Sequence, residues 1–199
     1  LKYLQAQINP HFLFNTLNAG AQLAMVEGAD RTGEYISNMA DFFRYNVKKD
    51  NEQVKISEEV ELVDSYIYIM NVRYSGEIKF RKDLDESLLG VVIPSMIIQP
   101  IVENSVKHGI CEKDEPGTLK ISTKKTDNGF DIVIADDGVG FDPALLPDDG
   151  EQHIGIRSAR YRIREMLGGS LEIESAPGRG TVITVKIPKG GKRDADLRR

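Results

Sequence analysis

The spacing of apolar residues changes once along this chain, near position 76, and that change limits the folds open to it. Before this point apolar residues recur at every third or fourth position, as Val60, Val63 and Ile67 do. After it they alternate with polar residues, as in the segment around Leu119 and Ile121. The first spacing is typical of helices that bury one face, and the second is typical of strands. A helical region followed by a mixed region is therefore predicted.

Two amphipathic helices are predicted at the start of the chain. The first runs from His11 to about Val26, and the second follows the break at 28–30. One hairpin of two such helices cannot bury both apolar faces well, so we expect a homodimer whose two hairpins form a four-helix bundle. A third, connecting helix is predicted to be capped by Ser57, with Glu59 among the acids that favour its positive end.

The mixed region combines strands and helices without strict alternation. Strands are predicted over Phe130 to Ala135, Ser170 to Ser175 and Thr181 to Ile187, and helices over Pro94 to His108 and Arg157 to Leu167. This order favours an α+β layer, a mixed sheet with helices on one face. We predict a helical region with its connector over 1–75, the mixed region over 76–188 and a polar tail over 189–199.

Composition limits the partners and the compartment. The net charge of -5 gives no electrostatic reason to expect nucleic acid, which rewards a basic surface. A single cysteine, Cys111, cannot form an internal disulfide and favours a reducing compartment. No apolar run approaches the roughly 20 residues of a membrane-spanning helix. Because the chain begins at Leu1 within a predicted helix, we expect a cytoplasmic piece of a longer protein.

A polar face is predicted on the helix that starts near Pro94. Asn104, Lys107 and His108 lie three and four residues apart and so share one side of that helix. An asparagine amide oxygen is a suitable Mg²⁺ ligand, and Lys107 can offset phosphate charge. Glu103 can accept a proton or orient its acceptor. Taken alone, this segment is also explained by a solvated polar face.

A second candidate segment follows the strand that ends near position 135. The Asp136 carboxylate can accept a hydrogen bond from the exocyclic amine of adenine, where guanine carries a carbonyl. Gly138 and Gly140 let the backbone turn sharply toward a ligand. A plain Asp-Gly turn is the alternative. The following residues, Phe141 to His153, lack periodicity and resemble a mobile flap.

Two further glycine segments complete the pattern. Gly155 opens the last predicted helix, so backbone N–H groups there can meet phosphate oxygens. Gly180 lies in a Gly-x-Gly-Thr turn, where the Thr181 hydroxyl is available to a base or an ordered water; a simple hairpin turn is the alternative. The Walker and dinucleotide-binding glycine motifs are both absent from the sequence. Together, the four segments predict a Mg-ATP site of another design.

A histidine near the start of the chain can accept the phosphoryl group. At about 100° per residue, His11 and Asn15 fall on the polar side of the first helix, opposite Leu13 and Leu17. A neutral imidazole, with an ordinary pKa of about 6.5, can attack phosphorus without a strong base.

These segments together resemble the motifs of LytS/YesM-type sensor histidine kinases. The match comprises the phosphoacceptor box from Gln7 to Asn18, the N box from Gln99 to Gly109, the G1 box from Asp136 to Gly140, the G2 region at Gly155 and the last glycine box from Gly178 to Thr181. It covers nearly everything from Leu1 to about Pro188. The first box is highly specific.

The resemblance implies a dimerising helical hairpin followed by a Bergerat-type ATP-binding domain. It implies autophosphorylation of His11 and transfer to a response-regulator aspartate, in the cytoplasmic fragment of a membrane sensor attached only through its missing N-terminal part. It assigns Mg²⁺ to Asn104, the phosphate side to Lys107 and His108, adenine to Asp136, proton handling at His11 to Glu103, and dephosphorylation of the partner to Asn15. Pro100 replaces a further asparagine of many relatives, which implies fewer protein ligands to the cation.

Two other functions remain compatible with these residues. One is a module that binds ATP or only dimerises and signals without catalysis. The other is a Bergerat-type ATPase or serine kinase, for which the His11 box would be useless.

Overall fold

The computed structural model describes residues 10–48, 53–74, 78–142 and 154–190. Its helices are α1 (Pro10–Val26), α2 (Asp30–Lys48), α3 (Ile56–Arg73), α4 (Ile98–Asn104) and α5 (Ile154–Leu167). Its strands are β1 (Gln53–Lys55), β2 (Ile78–Asp83), β3 (Val92–Pro94), β4 (Gly117–Thr126), β5 (Gly129–Asp136), β6 (Ser170–Ser175) and β7 (Thr181–Pro188). Most of the predicted flap and of the polar tail lies outside the described residues. Within the described ranges, no helix has both the length and the apolarity needed to cross a bilayer.

The strands form one mixed sheet of five strands and a small sheet of two. The larger sheet has the order β2-β4-β5-β7-β6. Its β2 and β4 are parallel, and its other neighbours are antiparallel. The smaller sheet pairs β1 with β3. The predicted mixed sheet is confirmed, whereas β1 and β3 were not predicted because three residues are too few to establish a period.

Helices cover one face of the larger sheet. Ile132 and Ile134 of β5, with Ile183 and Val185 of β7, are at most 2% exposed, and the residues between them are more accessible. These side chains join those of α3, α4 and α5 in one hydrophobic cluster. This is the predicted layer of helices over a sheet, with the core between them. The connector α3 thus belongs to the same core as the sheet.

The predicted helical hairpin is also present. Pro10 is the first residue of α1, a position that tolerates the missing N–H of proline. The chain turns at 27–29, and α2 then packs along α1. The two helices approach closely, since a Cβ at Gly33 would lie 3.0 Å from the Ala21 carbonyl oxygen. On its other side α2 packs against α3, which links the hairpin to the sheet region.

The start of α3 differs from the prediction. The helix begins at Ile56 with Lys55 as its N-cap, so Ser57 lies inside it. The Glu58 carboxylate accepts a hydrogen bond from the Lys55 backbone N–H at 2.8 Å, and the carbonyls of Val91 and Leu89 accept the N–H groups of Ile56 and Ser57. Glu59 is fully buried, and its carboxylate accepts hydrogen bonds from backbone N–H groups at the start of α4.

The helix predicted from Pro94 to His108 is shorter and irregular. Pro94 ends β3, and Met96 has a φ of 62°, a left-handed conformation that the interior of a right-handed helix excludes. The helix α4 therefore begins only at Ile98. After Asn104 it continues as a π-helical turn, Ser105–Gly109, which inserts an extra residue and shifts the following side chains from regular helical positions.

Candidate functional site

The end of β5 places a carboxylate in a buried position. Asp136 is the last residue of this strand and is only 7% exposed. Its Oδ1 accepts a hydrogen bond from the Gly138 backbone N–H at 3.0 Å. Its Oδ2 is buried without a hydrogen-bond partner among the described residues. Leaving a buried acceptor unpaired costs about 1–3 kcal/mol of free energy. A ligand that donates a hydrogen bond to this oxygen removes that cost, which favours its binding.

The environment of Asp136 also changes its titration. Burial raises the pKa of its carboxyl above the ordinary range, and the nearby polar groups of Ser105, Gly138 and Thr181 offset only part of that rise. A carboxyl perturbed in this way is typical of functional sites. Ser105 was not predicted, because its contact with Asp136 joins the end of α4 to the end of β5, and the sequence does not show that these two segments are neighbours.

The next residue, Asp137, has a different role. Burial raises the pKa of Asp137, but hydrogen bonds and the Lys113 ammonium outweigh burial and hold that pKa below its usual range. Its Oδ1 accepts a hydrogen bond from the Thr118 backbone N–H at 2.8 Å and lies 3.4 Å from Lys113 Nζ. Asp137 therefore anchors the loop that follows β5.

Two glycines bring three segments together beside Asp136. A Cβ at Gly138 would lie 2.3 Å from the carbonyl carbon of Gly109, at the end of the π-helical turn. A Cβ at Gly180 would lie 2.0 Å from the Asp136 carbonyl oxygen, and Gly180 also has a φ of 74°. Since no side chain fits either position, glycine is what allows the turn after α4, the loop after β5 and the β6–β7 turn to meet.

Ser175 fastens the β6–β7 turn to the loop after β5. Its hydroxyl donates to the Gly180 carbonyl at 3.0 Å, and its Oγ lies 2.9 Å from Thr181 Oγ1 and accepts the Phe141 backbone N–H at 3.0 Å. Gly140 packs on the same turn, where a Cβ would meet a carbonyl oxygen at 2.1 Å. The sequence predicted Gly140, Gly180 and Thr181 here, but a lone serine at a strand end gave no signal for Ser175.

The end of α4 carries the predicted polar group. Glu103 Oε1 accepts a hydrogen bond from the Gln99 side-chain amide at 2.9 Å, and Oε2 accepts one from Lys107 Nζ at 3.1 Å. Asn104 is partly buried at the last position of the helix, and Lys107 and His108 are exposed on the π-helical turn. Both carboxylate oxygens of Glu103 are therefore held by neighbours on their own helix.

The first turn of α5 lies beside α4. A Cβ at Gly155 would be 3.1 Å from the Cβ of Pro100. Further along α5, the Arg162 guanidinium donates to the Ser95 carbonyl at 2.7 Å. The backbone N–H groups that open α5 are thus close to α4, as a phosphate contact shared by the two helices requires.

The two predicted residues of the hairpin pair with each other. His11 and Asn15 are exposed on α1. The Asn15 side-chain nitrogen lies 3.3 Å from His11 Nδ1 and 3.5 Å from Nε2. The structure thus places these two residues together on the hairpin, while the other predicted residues lie around the end of β5, the end of α4 and the start of α5.

The donor set fits a substrate-bound Mg²⁺ better than a metal held by protein alone. Among the residues that the structure describes, no group of three or more His, Cys, Asp or Glu side chains is placed to hold a metal ion. Mg²⁺ usually keeps several waters and binds through one or two protein oxygens plus substrate phosphates. A single amide oxygen at Asn104, with Lys107 nearby, is compatible with that mode.

Two family models match the chain. One, described as "Histidine kinase-, DNA gyrase B-, and HSP90-like ATPase", matches residues 92–191, which is half of the chain. The other, described as "Histidine kinase", matches residues 1–78. The two matches follow the same order as the hairpin and the sheet region.

Two curated relatives are similar over most of this chain. The sensor histidine kinase YesM of Bacillus subtilis is 32% identical over 94% of this chain and 33% of its own length. The sensor protein LytS of Oceanobacillus iheyensis is 38% identical over 84% of this chain and 30% of its own length. The chain therefore spans about a third of the length of these relatives.

A solved structure has the same fold. The histidine kinase domain from the Erythrobacter litoralis EL346 blue-light activated histidine kinase covers 91% of this chain and 86% of its own, with a TM-score of 0.54 and 17% identity. At that identity the likeness concerns the fold alone. It confirms the predicted arrangement of a helical hairpin followed by a Bergerat-type α+β sandwich.

Proposed function

This chain belongs to the sensor histidine kinases of the LytS and YesM type, and on that premise we propose that it transfers the γ-phosphoryl group of ATP to its own His11. From His11 the group passes to an aspartate of a response-regulator receiver domain. The N–P bond of phosphohistidine is labile, so it suits transfer better than storage.

One observation carries the ATP part of the proposal: Asp136 Oδ2 is buried and has no hydrogen-bond partner among the residues that the structure describes. Close-packed glycines bring the turn after α4, the loop after β5 and the β6–β7 turn together beside this acceptor. The exocyclic amine of adenine supplies the missing donor, whereas guanine would set a carbonyl oxygen against the carboxylate. We therefore propose ATP rather than GTP as the nucleotide.

The phosphates are proposed to lie between the end of α4 and the start of α5. Asn104 supplies an oxygen to Mg²⁺, and the backbone N–H groups near Gly155 meet phosphate oxygens. Lys107 and His108, both exposed, are on the phosphate side. Mg²⁺ bound there would neutralise phosphate charge and favour alignment for transfer.

The ion pair between Lys107 and Glu103 suggests how the proton is handled. A phosphate group that draws Lys107 Nζ away from Glu103 leaves Oε2 able to accept a proton. A neutral ring nitrogen of His11 attacks the γ-phosphorus, the bond to the bridging oxygen breaks and ADP leaves. The other ring nitrogen then releases its proton to Glu103. Asn15, paired with His11, is proposed to act when the partner is dephosphorylated.

The hairpin is proposed to dimerise. The helix α1 is apolar on two sides, because Phe14 and Ala21 are buried while Phe12, Leu23 and Val26 are 70%, 58% and 85% exposed. A second hairpin would cover the exposed side and complete a four-helix bundle.

We keep the division into residues 1–75 and 76–188 as a proposal about function, with dimerisation and phosphoacceptor roles before ATP binding. It is not a boundary of packing, because α3 shares the core of the sheet region. The whole protein is proposed to be a membrane sensor whose kinase part faces the cytoplasm, where ATP and receiver domains are available.

Labelling with γ-labelled ATP tests the proposal. Wild-type chain should acquire acid-labile, base-stable label that His11→Gln abolishes. His153→Gln, a change at another of the three histidines, should retain it. Asn104→Ala should lose the Mg²⁺-dependent label. Label that persists in His11→Gln would disprove the acceptor assignment, and nucleotide binding without any phosphohistidine would favour a binding module instead.

A further inference from the structure

A fully buried carboxylate joins three helices of this protein. Glu59 of α3 is 0% exposed. Its Oε1 accepts a hydrogen bond from the Tyr45 hydroxyl of α2 at 2.6 Å. Four backbone N–H groups at the start of α4 also donate to it, those of Met96 at 2.7 Å, Ile97 at 3.2 Å, Ile98 at 2.8 Å and Gln99 at 3.4 Å. The start of α4 is thus held by a side chain of α3 that is itself held by α2.

The segment that Glu59 holds is strained. Met96 has a φ of 62°, and it is the only non-glycine residue with positive φ in the described part of the chain. Such a conformation persists where surrounding contacts enforce it. The shortest of the backbone hydrogen bonds to Glu59 is the one from Met96. Glu59 therefore stabilises the positive φ of Met96, a conformation that methionine rarely adopts.

The same contacts continue to the residue proposed to handle the proton. Gln99 donates its backbone N–H to Glu59 and its side-chain amide to Glu103 Oε1, the latter at 2.9 Å. Tyr45, Glu59, Gln99 and Glu103 therefore form an unbroken hydrogen-bonded series. The series starts on α2, which packs along the helix that carries His11. It ends at the Glu103 carboxylate, next to Asn104.

We propose that Tyr45 and Glu59 are positioning residues of the kinase reaction, which set the orientation of Glu103 according to where the hairpin packs on α3. The inference rests on the proposed function for its catalytic meaning. A shift of α2 along α3 moves the Tyr45 hydroxyl, loosens Glu59 and lets the start of α4 relax. The hairpin thereby controls phosphorylation without touching the nucleotide.

The chain offers a matched control for this link. Tyr68 of α3 lies against Glu34 of α2, and its pKa is raised by burial and by a hydrogen bond with that carboxylate. Tyr68 and Glu34 thus form a second Tyr–Glu contact between α2 and α3. Neither residue belongs to the hydrogen-bonded series that reaches α4. Tyr45→Phe and Tyr68→Phe each remove one hydroxyl from this interface and keep the ring.

Two readouts on the full chain separate the link from general stability. Tyr45→Phe should raise amide hydrogen exchange at residues 96–99 about tenfold, the change expected for one hydrogen bond to a charged acceptor. It should also lower the rate of His11 phosphorylation at saturating ATP about tenfold, with KM for ATP changed by less than about twofold. Tyr68→Phe should alter neither quantity.

A double-mutant cycle tests whether the effect passes through Gln99. Gln99→Met removes the side-chain bond to Glu103 at similar volume. In that background Tyr45→Phe should lower the phosphorylation rate by less than about twofold, because residues in one hydrogen-bonded series are not additive. Full additivity of the two changes would overturn the link.

The outcomes distinguish this inference from the proposed function. If the wild-type chain forms no phosphohistidine, the proposed function fails, and the exchange experiment still decides whether Tyr45 holds the start of α4. If the wild-type chain is active but Tyr45→Phe matches it in rate and exchange, the positioning role is wrong. It is equally wrong if Tyr68→Phe reproduces both changes of Tyr45→Phe.

Discussion

The Gly180 backbone lies against Asp136 so closely that a Cβ at Gly180 would stand 2.0 Å from the Asp136 carbonyl oxygen. Two residues earlier, Gly178 has nearly the same backbone conformation, with φ of 73° against 74°. A Cβ at Gly178 would have no atom within 4 Å. The two glycines therefore differ in the space around them and not in backbone angle.

This pair gives a controlled prediction. Gly178→Ala should destabilise the chain by about 1–2 kcal/mol, the cost of a left-handed alanine. Gly180→Ala should cost about 3–5 kcal/mol, because the clash forces the β6–β7 turn away from Asp136. ATP binding should be lost only in the second variant. Urea unfolding and nucleotide titration measure both effects, and equal losses in the two variants would contradict the contact.

The buried Asp136 predicts a pH dependence of stability. Its folded-state pKa is raised by burial, so its titration contributes stability that is fully present below about 3.9, the ordinary value. That contribution is lost as the pH rises through the folded-state pKa. Asp136→Asn, which does not titrate, should therefore gain stability relative to wild type as the pH rises through this window. Urea unfolding at several pH values checks this, and a relative gain on acidification instead would refute it.

The same substitution tests the base contact. Asp136→Asn should weaken ATP binding about ten- to a hundredfold, since it replaces a charged acceptor with a neutral amide. The amide nitrogen can donate to the guanine carbonyl, so the preference for ATP over GTP should narrow. Competition between the two nucleotides for the site measures this ratio. An unchanged ratio would place adenine elsewhere.

Local sequence patterns were enough to predict most strands of the larger sheet. The strand predicted from Ser170 to Ser175 is observed with those bounds, and the one predicted from Thr181 ends one residue later than expected. The exposure of His11 also agrees with its prediction. In each case period and turn residues lie within a few positions of one another, so the sequence contains the information locally.

Features that depend on distant partners were not predictable in this way. In the sequence, Glu59 resembles any acidic residue in the first turn of a helix. Only the packing of α3 on α4 makes it the acceptor of hydrogen bonds from backbone N–H groups 37 or more positions away. Methionine is not a residue type that indicates a positive φ, so the conformation of Met96 could not be predicted. No residue pattern indicates the π-helical turn after Asn104, which is why the polar face was predicted on a regular helix.

Dimerisation predicts a strong effect at the exposed side of α1. Leu23, 58% exposed, would be buried between two hairpins, so Leu23→Glu should place a charge there and raise the dimer dissociation constant at least about a hundredfold. Val182→Glu, at an exposed apolar residue of β7, is the control and should leave the dimer intact. Sedimentation at micromolar concentration separates the two states. A wild-type chain that is monomeric under the same conditions would refute the proposed bundle.

The ion pair between Glu103 and Lys107 predicts a division between binding and catalysis. Glu103→Gln keeps the contact with Gln99 but removes the proton acceptor. The rate of His11 phosphorylation at saturating ATP should fall about a hundredfold or more, with little change in KM. Glu112→Gln, an exposed acid on the short 3-10 turn Ile110–Glu112, is the matched control and should retain the wild-type rate.

Lys107→Met should affect KM for ATP more than the rate at saturating ATP, the reverse of Glu103→Gln. It frees Glu103 Oε2 from its 3.1 Å contact with the ammonium group but removes a positive charge from the phosphates. KM for ATP should therefore rise about tenfold or more, the order expected for a lost charge-assisted contact, while the saturated rate falls less than in Glu103→Gln. Steady-state labelling over a range of ATP concentrations separates the two constants. If Lys107→Met instead lowers the saturated rate as much as Glu103→Gln does, then Lys107 acts in the chemical step and does not merely release Glu103 when phosphate binds.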